Sequence, residues 1–177
     1  RIEPLMSVKP YNDTSNIVLT DFSKPDEFTE ESAAEGVSGG IGISAEMPKG
    51  GGATAVFSAS GKDQIAREGS WLKMEKKFDA WLDLSKNQGL GVWIKGDGNG
   101  QLLNFRVESP KHISHGARGD HFVKVDFTGW KYFELVEIES SEFSNYVWPD
   151  SGFFVYDSYR HRVDFNHVDK LQLWYNN

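Results

Sequence analysis

Apolar and polar positions alternate most clearly in the middle of the chain. Across Gly89–Lys95, Leu90, Val92 and Ile94 fall on one side and Gly91, Trp93 and Lys95 on the other, the period of a strand with one buried face. Gln101–Ser109 repeats the pattern with Leu103, Phe105 and Val107 against Leu102, Asn104 and Arg106. Between them Gly96-Asp97-Gly98-Asn99-Gly100 supplies residues that tolerate positive φ, which predicts a hairpin over Gly89–Ser109. In Trp71–Phe78, Leu72, Met74 and Lys76 share a face opposite Trp71, Lys73 and Glu75. A short segment from Trp81 ends at Asp83-Leu84-Ser85.

Further strands are expected at Ile17–Phe22, within Val37–Met47, at Ala53–Ser58, His121–Phe127, Trp130–Ile138 and Val168–Tyr175. A helical turn is the reading for residues 26–35, weakened by its acidic charge and by Gly36. Because the last strand stops at Asn176 and Asn177, a closing edge strand is expected beyond the chain. Many short strands separated by turn residues, without a long helix, predict an all-β sandwich or barrel. Residues 1–16 are polar with two prolines and read as a linker or N-terminal arm, leaving 17–177 as one sandwich domain.

Composition narrows the function classes. A net charge of −7 and a pI near 5.2 argue against nucleic acid, which is bound by neutralising its phosphates. No apolar run approaches the ~20 residues that span a bilayer. The chain has no cysteine, which excludes a thiol nucleophile, and no Gly-x-Ser-x-Gly elbow occurs. Paired carboxylates for glycoside hydrolysis cannot be picked out among 26 acidic residues. The reading is therefore non-catalytic. The chain starts at Arg1 and reads as a piece excised from something longer.

Two polar clusters invite metal readings. His112-x-x-His115 with His121 lies in a Gly/Ser-rich loop without the helix that sets paired ligands on one face, and reads as solvated histidine. Asp21, Asp26 and Glu27 follow the first expected strand. They are the calcium candidates, since calcium takes carboxylate oxygens from loops and strand ends; a solvated acidic turn is the other reading. Arg118-Gly119-Asp120 carries no weight as a tripeptide motif.

Residues 139–166 are rich in rings: Tyr146, Trp148, Phe153, Phe154, Tyr156, Tyr159 and Phe165. Flat rings stack on the C–H faces of sugars, while Arg, Asp, Asn and His bond to hydroxyls, so this stretch is a candidate binding surface. Its phenylalanines read as burial over an open sandwich end. Tyr146, Trp148, Tyr159 and Arg160 are the binding candidates, joined by Arg118 for an acidic group on the glycan. Trp93 is either exposed on the outer sheet face or part of the intersheet core.

The tract Leu82-Asp83-Leu84-Ser85, then Gly89–Gly100 and its return strand, resembles the galactose-binding-like β-sandwich modules of carbohydrate-active enzymes, with family 11 modules the nearest likeness. Residues 121–135 and 163–177 fit the same pattern, so the likeness covers 17–177. The resemblance implies a jelly-roll sandwich of two antiparallel sheets, often with a structural calcium near the first strand. It also implies a ligand surface on the concave sheet face or in the loops at one end. The usual terminal strand, which often carries an Asp toward the calcium, is missing here. The expected function is a carbohydrate-binding module that tethers a covalently linked bacterial enzyme, secreted or on the cell surface, to a polysaccharide. The alternative is a sandwich spacer that packs against a catalytic domain.

Overall fold

The computed structural model describes residues 14–44, 46, 53–61, 71–110, 118–135 and 163–175. After one 3-10 turn at Pro25–Glu27, the described strands are β1 (Glu30–Ala33), β2 (Val37–Ser44), β3 (Thr54–Gly61), β4 (Leu72–Leu82) and β5 (Leu90–Asp97). They continue with β6 (Gln101–Glu108), β7 (Arg118–Gly119), β8 (Phe122–Val125), β9 (Thr128–Leu135) and β10 (Val168–Tyr175). Each of their pairings is antiparallel. One layer is a six-stranded sheet in the order β1-β4-β10-β6-β7, with β8 also on β6. Two ribbons, β2-β3 and β5-β9, cover one face of it. The expected β-sandwich is what the chain forms.

The core lies between these layers. Met74, Phe105, Val107, Val123, Leu171 and Leu173 come from the sheet and Ile94 from the ribbon, with Ile41, Phe57, Val92 and Phe133 packed against them. These are the apolar members of each alternating strand, so the face predicted for burial is the face buried.

The pairing is not the one expected. β5 pairs with β9, and β6 pairs with β10, β7 and β8, so Gly89–Ser109 is an arch between layers and not a hairpin. The Asp97 carboxylate accepts from Asn99 N (3.1 Å), Asn99 Nδ2 (2.9 Å) and Gln101 Nε2 (2.8 Å), while Gly98 and Gly100 take φ of 79° and 78°. The chain therefore turns within one polar knot, and Gly100 N donates to Val125 O at 2.8 Å on the neighbouring β8. Leu90, Val92 and Ile94 end up across the core from Leu103, Phe105 and Val107 instead of beside them.

Residues 17–22 do not form a strand. Thr20 Oγ1 accepts from Phe22 N at 3.0 Å and Asp21 Oδ1 from Ser23 N at 2.9 Å. Such side-chain bonds replace a ladder with turns. Phe22 takes a φ of 56° and stacks on Phe28 with centroids 6.1 Å apart. The helical turn expected over 26–35 shrinks to Pro25–Glu27, and Glu30–Ala33 becomes an edge strand on β4. The last strand, β10, is central, hydrogen-bonded to β4 and β6. Its Val168, Leu171 and Leu173 are buried, which suits an interior strand.

Candidate functional site

Alternation along β4, β10 and β6 sends one set of side chains into the core and the other to the opposite face of the sheet. The register arranges that second set in rows. One row reads Lys73, Trp174, Asn104 and Phe122; the next reads Glu75, Gln172 and Arg106; a third pairs Lys77 with Lys170 and Lys170 with Glu108. Polar groups in the middle of a sheet are withdrawn from water and need partners.

Those partners form two clusters, one on β4 and β10 and one around β6, which meet where Arg106 lies against Trp174. Trp174 Nε1 donates to Gln172 Oε1 at 2.8 Å, and Gln172 Nε2 donates to Glu75 Oε2. Lys73 and Lys170 lie 3.7 and 3.5 Å from the Glu75 carboxylate. Burial by itself would lower the Lys170 ammonium, but Glu75, Glu108 and Asp169 outweigh it and hold the group above the ordinary lysine value. On β6, Arg106 Nε donates to Asp120 Oδ1 at 2.6 Å and Asn104 Nδ2 to the same oxygen at 2.8 Å. Asn104 Oδ1 accepts from His121 N at 3.1 Å. His121 Nδ1 lies 3.0 and 2.9 Å from the Phe105 and Gly119 carbonyls. Carbonyls only accept, so the proton sits on Nδ1. Burial holds this imidazole below its ordinary value, against those two carbonyls and the Asp120 carboxylate, which pull the other way.

Two features of this face are not accounted for by the fold. Arg106 is 3% exposed, yet its Nη2 has no hydrogen-bond partner. Half of its donor fork is thus held in a dry place without an acceptor, a cost that a bound acceptor would remove. Beside it, the Arg106 guanidinium sits 4.6 Å from the Trp174 ring centre, and Trp174 in turn lies 5.3 Å from Trp71. A charged fork against paired indoles combines a stacking surface with a hydrogen-bond donor of fixed direction.

The residues singled out from the sequence are distributed differently. Tyr146, Trp148, Tyr159 and Arg160 lie outside the described residues. Arg118 is in register with Glu108 at the end of the third row. Trp93 is on the other layer, opposite Tyr132 in the β5-β9 ribbon with ring centres 5.4 Å apart. It sits on the side away from Val92 and Ile94, and its buried Nε1 is without a partner.

Two of the calcium candidates have protein partners of their own. Glu27 Oε2 accepts from Lys76 Nζ at 2.8 Å and its other oxygen from the Thr20 hydroxyl, so its charge is already neutralised. Asp26 is exposed, and Asp21 is occupied with Ser23, whose side-chain and backbone hydrogen bonds hold it below the usual carboxylate value. Among the described residues no three acidic or histidine side chains converge as a metal site.

Arg106, Asn104, Gln172, Glu75, Trp71 and Trp174 were not among the sequence candidates. Asn104 and Arg106 were visible as the polar side of a strong alternating strand, but nothing local ties them to Gln172 and Glu75, tens of residues away.

The family model described as "Carbohydrate binding domain (family 11)" matches residues 7–153. A mannan endo-1,4-beta-mannosidase of Bifidobacterium adolescentis (strain ATCC 15703 / DSM 20083 / NCTC 11814 / E194a) is 28% identical over 87 residues, 48% of this chain and 8% of that enzyme. A solved structure titled "Structural analysis of an exo-beta-agarase" overlaps 88% of this chain and 22% of its own, with 12% identity and a TM-score of 0.47.

Proposed function

This chain belongs to the family 11 carbohydrate-binding domains, and from that premise we propose that it holds a polysaccharide on the polar face of its six-stranded sheet. The observation that carries the reading is Arg106, buried and with Nη2 unpartnered, against the Trp174 ring. A sugar ring offers a C–H face to the indole and hydroxyl oxygens to the guanidinium. The module does no chemistry itself. It serves as an accessory unit of a longer enzyme outside the cell, and tethering raises the enzyme's effective concentration on a polymer even when each contact is weak. The mannosidase relative makes β-1,4-mannan the first polymer to try. Tyr146, Trp148, Tyr159 and Arg160 are proposed as further contacts on their chemistry alone.

Affinity electrophoresis of the isolated chain in gels containing β-mannan, mixed-linkage β-glucan or xyloglucan tests this. Retention by at least one polymer is expected, with Trp174→Ala and Arg106→Met each weakening it. Retention unchanged in both variants moves the site off this face, and Trp148→Ala then asks whether residues 139–166 carry it. No retention on any polymer sinks the binding function.

A further inference from the structure

We infer that Trp81 and His167 form a second sugar-stacking platform at the far end of the same two strands, so that the site takes an extended chain and not a short oligosaccharide. The inference rests on the polar face being the sugar site. Among the described residues Trp81 is the most exposed of the large hydrophobics outside the 17–18 stretch, at 61%. Its ring meets His167 edge-on at 4.6 Å.

Neither side chain hangs from a loose end. Leu82, next to Trp81, is in register with Val168, next to His167, and Val168 is 0% exposed. Leu84 N donates to Phe165 O at 2.7 Å, and both residues pack against the core. The turn at 164–167 is tied by Asp164 Oδ1 accepting from Asn166 N at 3.1 Å and Nδ2 at 3.0 Å. Asp164 N in turn donates to the buried Ser109 hydroxyl at 3.2 Å. An exposed indole on so firm a base keeps its ring surface in water in the free protein, at a cost that stacking on a ligand would recover.

The surroundings choose the occupant. Asp164 Oδ2 lies 3.6 Å from His167 Nδ1, and Asp83 is close enough to feel His167 electrostatically. Carboxylates and an imidazole around one flat ring suit hydroxyl groups. They repel phosphates, and one ring is too small an apolar area to hold a protein partner. His167, just before β10, lies seven positions from Trp174, roughly 23 Å at about 3.3 Å per residue. One polymer chain lying along β10 would therefore meet an aromatic pair at each end, with Lys170 between them.

The test uses the whole chain with soluble β-1,4-mannan and mixed-linkage β-glucan, and with a disaccharide and a long oligosaccharide of each. Trp81→Ala should weaken polymer and long-oligosaccharide binding about tenfold, the change that follows from losing ~1.4 kcal/mol. Disaccharide binding and the melting temperature should stay unchanged, and Trp81→Tyr should restore most of the loss. The Trp81 indole N–H resonance, assigned by its absence in Trp81→Ala, should shift with the long oligosaccharide and not with the disaccharide. If the wild-type chain binds these polymers and Trp81→Ala binds them equally well, the platform is overturned while the polar-face site stands. If the wild-type chain binds no carbohydrate, the function proposed above fails and this inference with it.

Discussion

The two faces of the six-stranded sheet share the same strands and the same backbone hydrogen bonds, yet they are held together by different physics. Leu72, Met74, Phe105, Val107, Leu171 and Leu173 meet the ribbons, where any well-shaped apolar neighbour will do. On the other side Glu75, Gln172, Asn104, Arg106 and Asp120 are buried to a similar degree, but each must find a partner in a particular direction. Apolar burial is non-directional and scales with area, whereas a buried polar group is stabilised only when its bonds are made. The first face can be complete within the protein. The second is nearly complete, with Arg106 Nη2 buried and without a partner.

Truncating one member of each face sets the two against each other. Asp120→Ala leaves the Arg106 charge buried without its counter-ion and should destabilise by about 3–5 kcal/mol. Leu171→Ala removes a core side chain and should cost about 2–5 kcal/mol. Urea unfolding with a common slope measures both. The faces separate in repair: Asp120→Asn, which keeps an acceptor for Arg106, should recover part of the loss. Equal losses for Asp120→Ala and Asp120→Asn would break the claim that direction matters on this side.

Smaller in effect is the response to acid. His121 sits on the polar face next to Asp120, Asn104 and Arg106 and is held below its ordinary value, so the unfolded chain takes up a proton before the folded one does. Its contribution to stability is whole above about pH 6.5 and falls as pH drops through that value toward the folded one, by at most ~1.4 kcal/mol per pH unit for one proton. His121→Gln should flatten the pH dependence of the urea midpoint in that window, while Leu171→Ala should leave its slope alone.

The smallest effect is expected away from both faces. Lys95 Nζ bonds both Glu46 carboxylate oxygens at 2.7 and 2.8 Å, but both side chains are about half exposed. Lys95→Ala should shift stability by no more than ~1 kcal/mol, and less in high salt. A loss rivalling that of Asp120→Ala would mean that burial is not what separates strong from weak pairs here.

The sequence made the faces legible and the partners illegible. Leu90, Val92 and Ile94, and again Leu103, Phe105 and Val107, announced their burial, because alternation is a property of one strand and can be read from a few consecutive residues. Whether β5 would pair with β6 or arch away from it was not written in Gly96–Gly100, since glycines with positive φ serve a hairpin and an arch alike. The Asp97 knot and the Gly100–Val125 bond decided it. Residues 17–22 carried strand-like apolar spacing, but Thr20 and Asp21 spent their side chains on local turns. The clustered acids at 21–27 suggested a cation, and nothing among them announced that Lys76, 49 residues beyond Glu27, would bond to it.

The same division runs through the polar face. Hydrophobic periodicity alone determined an all-β chain and named the side chains that point away from the core, Arg106, Asn104 and Glu75 among them. Only the tertiary structure set Gln172 between Glu75 and Arg106 and Trp174 against Trp71, because those neighbours come together across 66 to 103 residues of chain. Periodicity reports which way a side chain points. What it will touch depends on which strands close the sheet, and that is settled by the packing of the whole core.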